Sequence, residues 1–410
     1  MTWQPLPATS KAAEVWLEFV DDPNTKYFLL EGSVRSSKTF GSIVAWCDWV
    51  ENFAPPGPLL MMGNTRETLI QNVIDPLIEL VGPKQAILNR GIGQLELFGR
   101  PIYIFGAANI AAMRKLQGKG AVGAYCDEAP TYPKDVWQML GTRAAADGIK
   151  IIATMNPDSP RHYMKVDYLD RLKEVNGRSW HFCLDDNPFL SQKVKEELKS
   201  QYTGLWKLRY IDGLWVAAEG SIYDMFTEEN VIHELPSQWH KIIVGVDFGI
   251  STVTSYIALG LAADGQHKGK WIAFKEFYYN SEKKQHQKTT SELSSEMATF
   301  LTRDGGKWYP ESIEVDPSAA PLKLQLKRDG FSPIRDADNS VKSGIMAVGN
   351  AFATKRLLIH DSCTNLLEEL PGYVWDTKAQ DLGEDAPVKE NDHALDALRY
   401  AYQRINRRWL

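Results

Sequence analysis

The chain has 410 residues, 44% of them hydrophobic and 24% charged, with a formal net charge of −6. That length exceeds one ordinary core and predicts two domains with a small subdomain between them. No apolar stretch is long enough to span a bilayer, Met1-Thr2-Trp3-Gln4-Pro5 does not read as a secretory leader, and the acidic balance argues against indiscriminate coating of nucleic acid.

From the N-terminus, Tyr27-Phe28-Leu29-Leu30 predicts a short apolar strand, and Thr39 to Phe53 a helix with Ile43, Val44, Trp46 and Cys47 on its inner side. Leu59 to Met62, Ile102 to Phe105, Val122 to Cys126 and Ile149 to Thr154 are further apolar runs bounded by Gly, Pro or charge. Runs without alternation suggest strands buried on both faces, and strands alternating with helices imply a parallel sheet. Residues 1–165 are therefore expected to form one α/β domain.

Residues 166–235 are charged and helical, as in Lys193 to Tyr202, and are expected to form a lid or linker, with a boundary in the polar stretch around Pro236. Residues 236–410 open a second α/β domain. Its strands are Ile242 to Val246, Ser255 to Leu261 and Trp271 to Tyr278, which short turns join into an antiparallel meander. A helix (Lys288 to Leu301), a strand (Ser312 to Val315) and a long terminal helix (Asp392 to Arg408) complete it.

Gly32-Ser33-Val34-Arg35-Ser36-Ser37-Lys38-Thr39 lies between a strand and a helix, the context of a phosphate-binding loop. Its backbone N–H groups and the helix N-terminus can surround phosphate oxygens, Lys38 supplies charge, and the Thr39 hydroxyl is placed to ligate Mg²⁺. Ser37 stands where Gly is usual, and it fits if its φ is negative; the competing reading is a Ser-rich strand-to-helix turn. Ala124-Tyr125-Cys126 runs into Asp127-Glu128, a Walker B pattern in which Asp127 holds Mg²⁺ through water and Glu128 activates the attacking water. Ile151 to Pro157 ends a strand in Thr154, Asn156 and Pro157, where Asn156 can sense a γ-phosphate. Arg35 can reach that phosphate in cis; Arg66, Arg114 and Arg143 are alternative charge-stabilising arginines.

In the second half Asp247 and Asp316 each end a strand, and Asp392, His393 and Asp396 open the last helix at spacings that place them near one face. Two strand carboxylates and a helix carboxylate can converge on Mg²⁺ or Mn²⁺, hard ions that suit oxygen ligands and phosphodiester cleavage. Taken singly, Asp392 could be a helix cap and Asp247 a turn residue. The strand–meander–strand–helix order is that of an RNase H-like fold. Asp247-Phe248-Gly249 also resembles the phosphate loop of actin-like ATPases, which leaves the acidic helix face unexplained. Cys47, Cys126, Cys183 and Cys363 form no C-x-x-C pair, so reduced thiols are expected. Arg114-Lys115, Lys323 to Arg328 and Arg404 to Arg408 are the local basic clusters.

Together these motifs resemble the large terminase subunit of tailed double-stranded DNA bacteriophages, over nearly the whole chain. The resemblance rests on the Arg-bearing loop Gly32–Thr39, Cys126-Asp127-Glu128-Ala129, Ala153-Thr154-Met155-Asn156-Pro157, Val246-Asp247-Phe248-Gly249 and the string Asp392 to Tyr400. It implies an ATPase fold of the additional-strand, catalytic-glutamate type joined to an RNase H-like nuclease. It implies ATP-driven threading of double-stranded DNA into procapsids and metal-dependent cutting of concatemers, with Asp247, Asp316 and Asp396 carrying the metals and His393 accessory. Expected partners are DNA, a portal protein, a small terminase subunit and sister subunits in a ring of five, with a monomer in isolation compatible. No membrane partner is expected. The expected location is the host cytoplasm and, transiently, the portal, but not the mature virion. The alternatives are a helicase-like DNA translocase whose RNase H-like half only scaffolds, and an actin-like regulatory ATPase.

Overall fold

The computed structural model describes residues 6–107, 120–143, 148–303 and 306–406. Arg114-Lys115, Arg407-Arg408 and the side chain of Arg143 lie outside the described residues. Two compact units form: residues up to Ala217 with Asp381–Glu384, and Ala218–Gln380 with Asp385 onward.

The first unit is built on an eight-stranded sheet. Its strands are β1 (Tyr27–Gly32), β2 (Leu59–Gly63), β3 (Ala86–Asn89), β4 (Gln94–Leu97), β5 (Arg100–Gly106), β6 (Gly123–Cys126), β7 (Lys150–Met155) and β8 (Gly177–Phe182). They lie in the order β3-β4-β5-β2-β6-β7-β1-β8. From β5 to β8 every pairing is parallel; β3 and β4 add an antiparallel edge. The sheet is buried on both faces, as the unbroken apolar runs predict. Phe28 and Leu30 of β1 join a core with Trp46 and Met61, whereas Tyr27 and Leu29 join one with Leu60, Met62 and Cys126. Strand β7 separates the strand before the phosphate loop from the strand before Asp127, which is the additional-strand order. The segment expected as a lid, 166–235, is divided: β8 lies within it and pairs along β1, with Leu30 opposite Trp180, and residues after Ala217 go with the second unit. That strand lacks a readable alternation: its exposed residues Arg178 and His181 fall on opposite faces, and Arg178 shares the face of Trp180 and Phe182, where it pairs with Glu18.

The second unit carries a seven-stranded sheet and a small hairpin. Its strands are β9 (Val231–Ile232), β10 (Trp239–Phe248), β11 (Val253–Ala262), β12 (Trp271–Asn280), hairpin strands β13 (Thr302–Arg303) and β14 (Gly306–Lys307), β15 (Ser312–Val315), β16 (Ile334–Asp336) and β17 (Leu357–His360). The order is β16-β15-β10-β11-β12-β17-β9. β10, β11 and β12 form the predicted antiparallel meander, and β15 joins β10 in parallel. The terminal helix, His393–Asn406, packs on β10 and β11. Its approach depends on Gly245: a Cβ there would stand 1.9 Å from the Ala397 carbonyl oxygen. Among the described residues, no helix is long and apolar enough to cross a membrane, and all four cysteines are free.

Candidate functional sites

The phosphate loop leaves β1 at Gly32, whose φ is +124° and whose Cβ, if it had one, would meet the Phe182 carbonyl oxygen at 2.0 Å. A side chain there is excluded by both geometry and space. Ser33 donates its amide to that same carbonyl (2.8 Å), and the Val34 amide donates to the Tyr210 carbonyl (2.8 Å). Arg35 and Ser37 both take positive φ, 54° and 72°. The expectation of a negative φ at Ser37 is therefore overturned: Ser occupies the left-handed conformation that Gly usually supplies, and the loop carries that strain in its own backbone. The helix Lys38–Asn52 opens at Ser37 without any side-chain cap. Its first N–H groups keep no such partner, the condition an anion site needs.

Lys38 folds back into the loop. Its ammonium donates to the Gly32 carbonyl (3.0 Å), the Ser33 carbonyl, Ser36 Oγ (3.3 Å) and Asn156 Oδ1 (3.2 Å). Burial pulls its pKa down to about 7, against the attraction of Asp127, Glu31 and Glu128. Thr154 ties the acidic pair together. Its hydroxyl donates to Asp127 Oδ1 (2.7 Å) and accepts from the Glu128 amide (3.0 Å). Burial holds both carboxyls above their ordinary range; Asp127 pushes Glu128 further up, while the Thr154 hydroxyl and Lys38 draw Asp127 back. Glu128 also sits at positive φ, 54°. The loop lysine, the Walker B pair and the β7 terminus thus meet in one network. Thr39 is half-buried beside it, while Arg35 is exposed with its carbonyl accepting from Asn187 Nδ2 (2.6 Å). Arg66 instead lies 3.9 Å from Glu67.

In the second unit Asp247 is the next-to-last residue of β10, and the Asp316 amide donates to the Val246 carbonyl (3.1 Å), so the two acids lie side by side at the ends of neighbouring parallel strands. Asp247 Oδ2 meets His393 Nδ1 at 2.8 Å. Burial raises the Asp247 carboxyl, His393 counteracts, and both Asp396 and Asp316 push it up again. The hydrogen bond to Asp247 raises the His393 pKa against its burial. Asp396 sits between two cations: Arg399 Nη2 reaches Oδ1 (2.8 Å) and Lys389 Nζ reaches Oδ2 (3.3 Å). Lys389 also holds Asp392 Oδ2 (3.1 Å), so the Asp392 side chain pairs with a lysine rather than capping the helix. The Asp316 carboxylate accepts from the Ser318 amide (2.8 Å) and lies 3.5 Å from the Tyr400 hydroxyl.

The all-oxygen donor set fits a hard divalent ion by chemistry. Among the described residues, however, no three His, Cys, Asp or Glu side chains stand close enough to share one ion. Asp396 is turned to its two cations and Asp247 to His393. Lys389, Arg399 and Glu369, which anchors the helix start, are the residues that sequence reasoning missed. Only Arg399, one helical turn after Asp396, had a readable spacing.

The comparisons with known proteins match this division. A family model described as terminase large subunit, T4likevirus-type, N-terminal, matches residues 76–230, and one described as terminase RNaseH-like domain matches residues 272–404. The first match begins after the phosphate loop. The solved large terminase of a thermophilic bacteriophage is 33% identical, with a TM-score of 0.89, covering 98% of this chain and 100% of that one. The chain belongs to the large terminase subunit family. Within the family, the same thermophilic phage's protein has also been solved in complex with ATP-gamma-S; that structure is 32% identical, with a TM-score of 0.87, and the match covers 96% of this chain and 98% of that one. The large terminase subunit of Escherichia phage T5 is 23% identical over 243 residues, which is 57% of this chain. The match spans about half, 52%, of that curated relative's length. This terminase therefore has the two expected parts, an ATPase domain of the P-loop class and an RNase H-like domain, and neither the helicase-like nor the actin-like alternative is favoured.

Proposed function

We propose that this terminase hydrolyses ATP at the phosphate loop to drive double-stranded DNA into a procapsid, and cuts the DNA at the carboxylate site. The observation that carries this reading is the pairing, in one chain, of the Lys38–Asn156–Thr154–Asp127–Glu128 network with the Asp247–Asp316–Asp396 cluster. The ATP-gamma-S complex of the thermophilic phage relative supports the nucleotide assignment. In this reading the uncapped amides of the loop bind phosphate oxygens, Lys38 turns from Asn156 to the phosphates, and Arg35 adds charge from the exposed side. Glu128, held by Thr154, takes a proton from the attacking water. Asn156 loses its lysine partner when Lys38 moves, which gives β7 a signal that nucleotide has bound.

Thr39 and Asp127 would hold Mg²⁺ at the first site, and Asp247, Asp316 and Asp396 would hold Mg²⁺ or Mn²⁺ at the second. A bound divalent ion supplies Lewis acidity, activating water and offsetting charge on a leaving oxygen. His393, whose pKa the hydrogen bond to Asp247 raises, orients that carboxylate. The partners in this reading are DNA gripped by its phosphates, a portal protein, a small terminase subunit and sister copies in a ring of five. The setting is the host cytoplasm and the procapsid portal.

Paired variants test the reading. Glu128→Gln should lower ATP turnover by about 10²–10⁴-fold and leave Mn²⁺-dependent plasmid cutting intact; Asp247→Asn should do the reverse. Normal ATP turnover in the first variant would remove the catalytic assignment of Glu128, and normal cutting in the second would remove the nuclease.

A further inference from the structure

The helix His393–Asn406 carries two residues of the carboxylate site at its very start, so its first turn must be fixed in place and rotation. A helix start leaves N–H groups without partners, and a nearby Ser, Thr, Asp or Asn side chain usually satisfies them. Asp392 stands in that position, but its carboxylate is engaged by Lys389. The acceptor comes instead from far along the chain: Glu369 Oε2 accepts from the Ala394 amide (2.8 Å) and the Leu395 amide (3.0 Å). Glu369 is 6% exposed and is the last residue of the short helix Thr364–Glu369. That helix is itself pinned by a remote carboxylate. Glu276 of β12 accepts from the Asn365 amide (2.9 Å), Asn365 Nδ2 (2.8 Å), Thr364 Oγ1 (3.2 Å) and the Leu366 amide (3.0 Å). The sheet thus anchors a short helix through Glu276, and that helix anchors the terminal helix through Glu369. Burying a carboxylate costs several kcal/mol unless it is well bonded. Glu369 gives Oε2 to two backbone amides at the start of the terminal helix while burial raises its pKa to about 7, and the half-buried Glu276 is bonded by two amides and two side chains.

We propose that Glu369 is a positioning residue of the carboxylate site, whose bonds to the Ala394 and Leu395 amides hold His393 and Asp396 in register beside Asp247. The proposal rests on the nuclease reading above. Gly245 admits the helix backbone, and Arg399 and Gln403 tie its later turns to the Ser340 carbonyl, whereas Glu369 bonds the first-turn amides themselves.

The full chain tests it, as Glu369→Ala and Glu369→Gln, with Mn²⁺ as the metal probe. Three readouts serve: amide hydrogen exchange at residues 393–396, the Mn²⁺ concentration for half-maximal plasmid cutting, and ATP turnover. In Glu369→Ala, exchange at 393–396 should rise at least tenfold, and metal affinity or cutting should fall by about 10–100-fold, the usual effect of losing a group that orients a ligand. ATP turnover should be unchanged. Glu369→Gln keeps an acceptor oxygen and should stay within about threefold of the parent in all three, the margin of one neutral for one charged hydrogen bond. A folded Glu369→Ala chain with parental Mn²⁺ dependence and cutting would overturn the proposal. So would a Gln variant as impaired as Ala with no rise in exchange, because charge rather than anchoring would then be the cause. If the parent neither binds Mn²⁺ nor cuts, while exchange still opens in Glu369→Ala, the nuclease reading fails and the anchor stands.

Discussion

In the first unit one unbroken run, Gly32 to Thr39, supplies the loop, the lysine and the helix start, and Asp127, Glu128, Thr154 and Asn156 come from the ends of two other strands of the same sheet. In the second unit Asp247, Asp316 and Asp396 come from two strands and a helix, and remote groups (Gly245, Lys389, Glu369) decide how closely they meet. The first site is shaped by local backbone, with positive φ at Arg35, Ser37 and Glu128. The second is shaped by packing, with the acids themselves on regular strand ends and a regular helix. The contrast teaches where each site is vulnerable: the first through conformation of its own loop, the second through the fit of a helix against a sheet.

The largest expected effects come from the two glycines, one in each site. Gly32→Ala must place a methyl 2.0 Å from the Phe182 carbonyl oxygen at a φ that L-residues avoid, and Gly245→Ala must place one 1.9 Å from the Ala397 carbonyl oxygen. Each should cost about 3 kcal/mol or more, because the obstructing atoms are backbone and cannot turn aside. The losses should separate in calorimetry. Gly32→Ala should lower the melting of the first unit and abolish ATP binding, and Gly245→Ala should lower that of the second and abolish cutting. If either variant melts like the parent, the close approach it tests is not what shapes that site.

Much of this was legible in the sequence, for physical reasons that differ by site. The loop was readable because its residues are contiguous and lie between a short apolar strand, Tyr27–Gly32, and a helix with an apolar inner side, Lys38–Asn52. Asp247 and Asp316 were readable because each follows a buried strand. Strand β8 was not, because its exposed residues Arg178 and His181 fall on opposite faces and break the alternation around Trp180 and Phe182. Lys389 and Glu369 were not, because a partner chosen by tertiary packing leaves no spacing rule. The positive φ of Ser37 was not legible because steric preference favours negative φ for Ser.

The two lysines sharpen the comparison, since deleting them should have opposite consequences. Lys38→Met removes the cation that would turn to the phosphates and should weaken ATP binding by about 10–100-fold, the range for losing a charged hydrogen bond. Lys389→Met removes a cation that competes for Asp396, and Mn²⁺ should bind about fivefold tighter, the ~1 kcal/mol of an ion pair whose lysine is exposed and whose carboxylate is buried. Unchanged or weaker Mn²⁺ binding would show that Lys389 does not occupy a ligand. Lys38 adds a pH signature. Its pKa of about 7 in the free protein leaves it mostly neutral at pH 8, whereas bound phosphate favours the ammonium form. ATP binding at pH 8 should therefore take up close to one proton, by roughly the fraction a group of pKa 7 leaves unprotonated, and affinity should fall as pH rises above 7. Titration calorimetry in buffers of different ionisation enthalpy measures that uptake directly.

The smallest effects test the claim that strain is stored in the first site and not in the second. Ser37 has φ 72° in the phosphate loop, and Asn391 has φ 51° just before the terminal helix. A Ser in the left-handed region costs about 1 kcal/mol relative to Gly, whereas Asn tolerates it through its short polar side chain. Ser37→Gly should therefore stabilise the nucleotide-free protein by about 1 kcal/mol, less the entropy that Gly adds to the unfolded chain. Asn391→Gly should change stability by only a few tenths of a kcal/mol. ATP affinity discriminates further. If the strain is relieved when phosphate binds, Ser37→Gly stabilises the free state selectively and weakens ATP binding by up to about fivefold, the equivalent of 1 kcal/mol. If affinity is instead unchanged while stability rises, the positive φ persists in the bound loop, and the strain is carried equally by the free and the nucleotide-bound states.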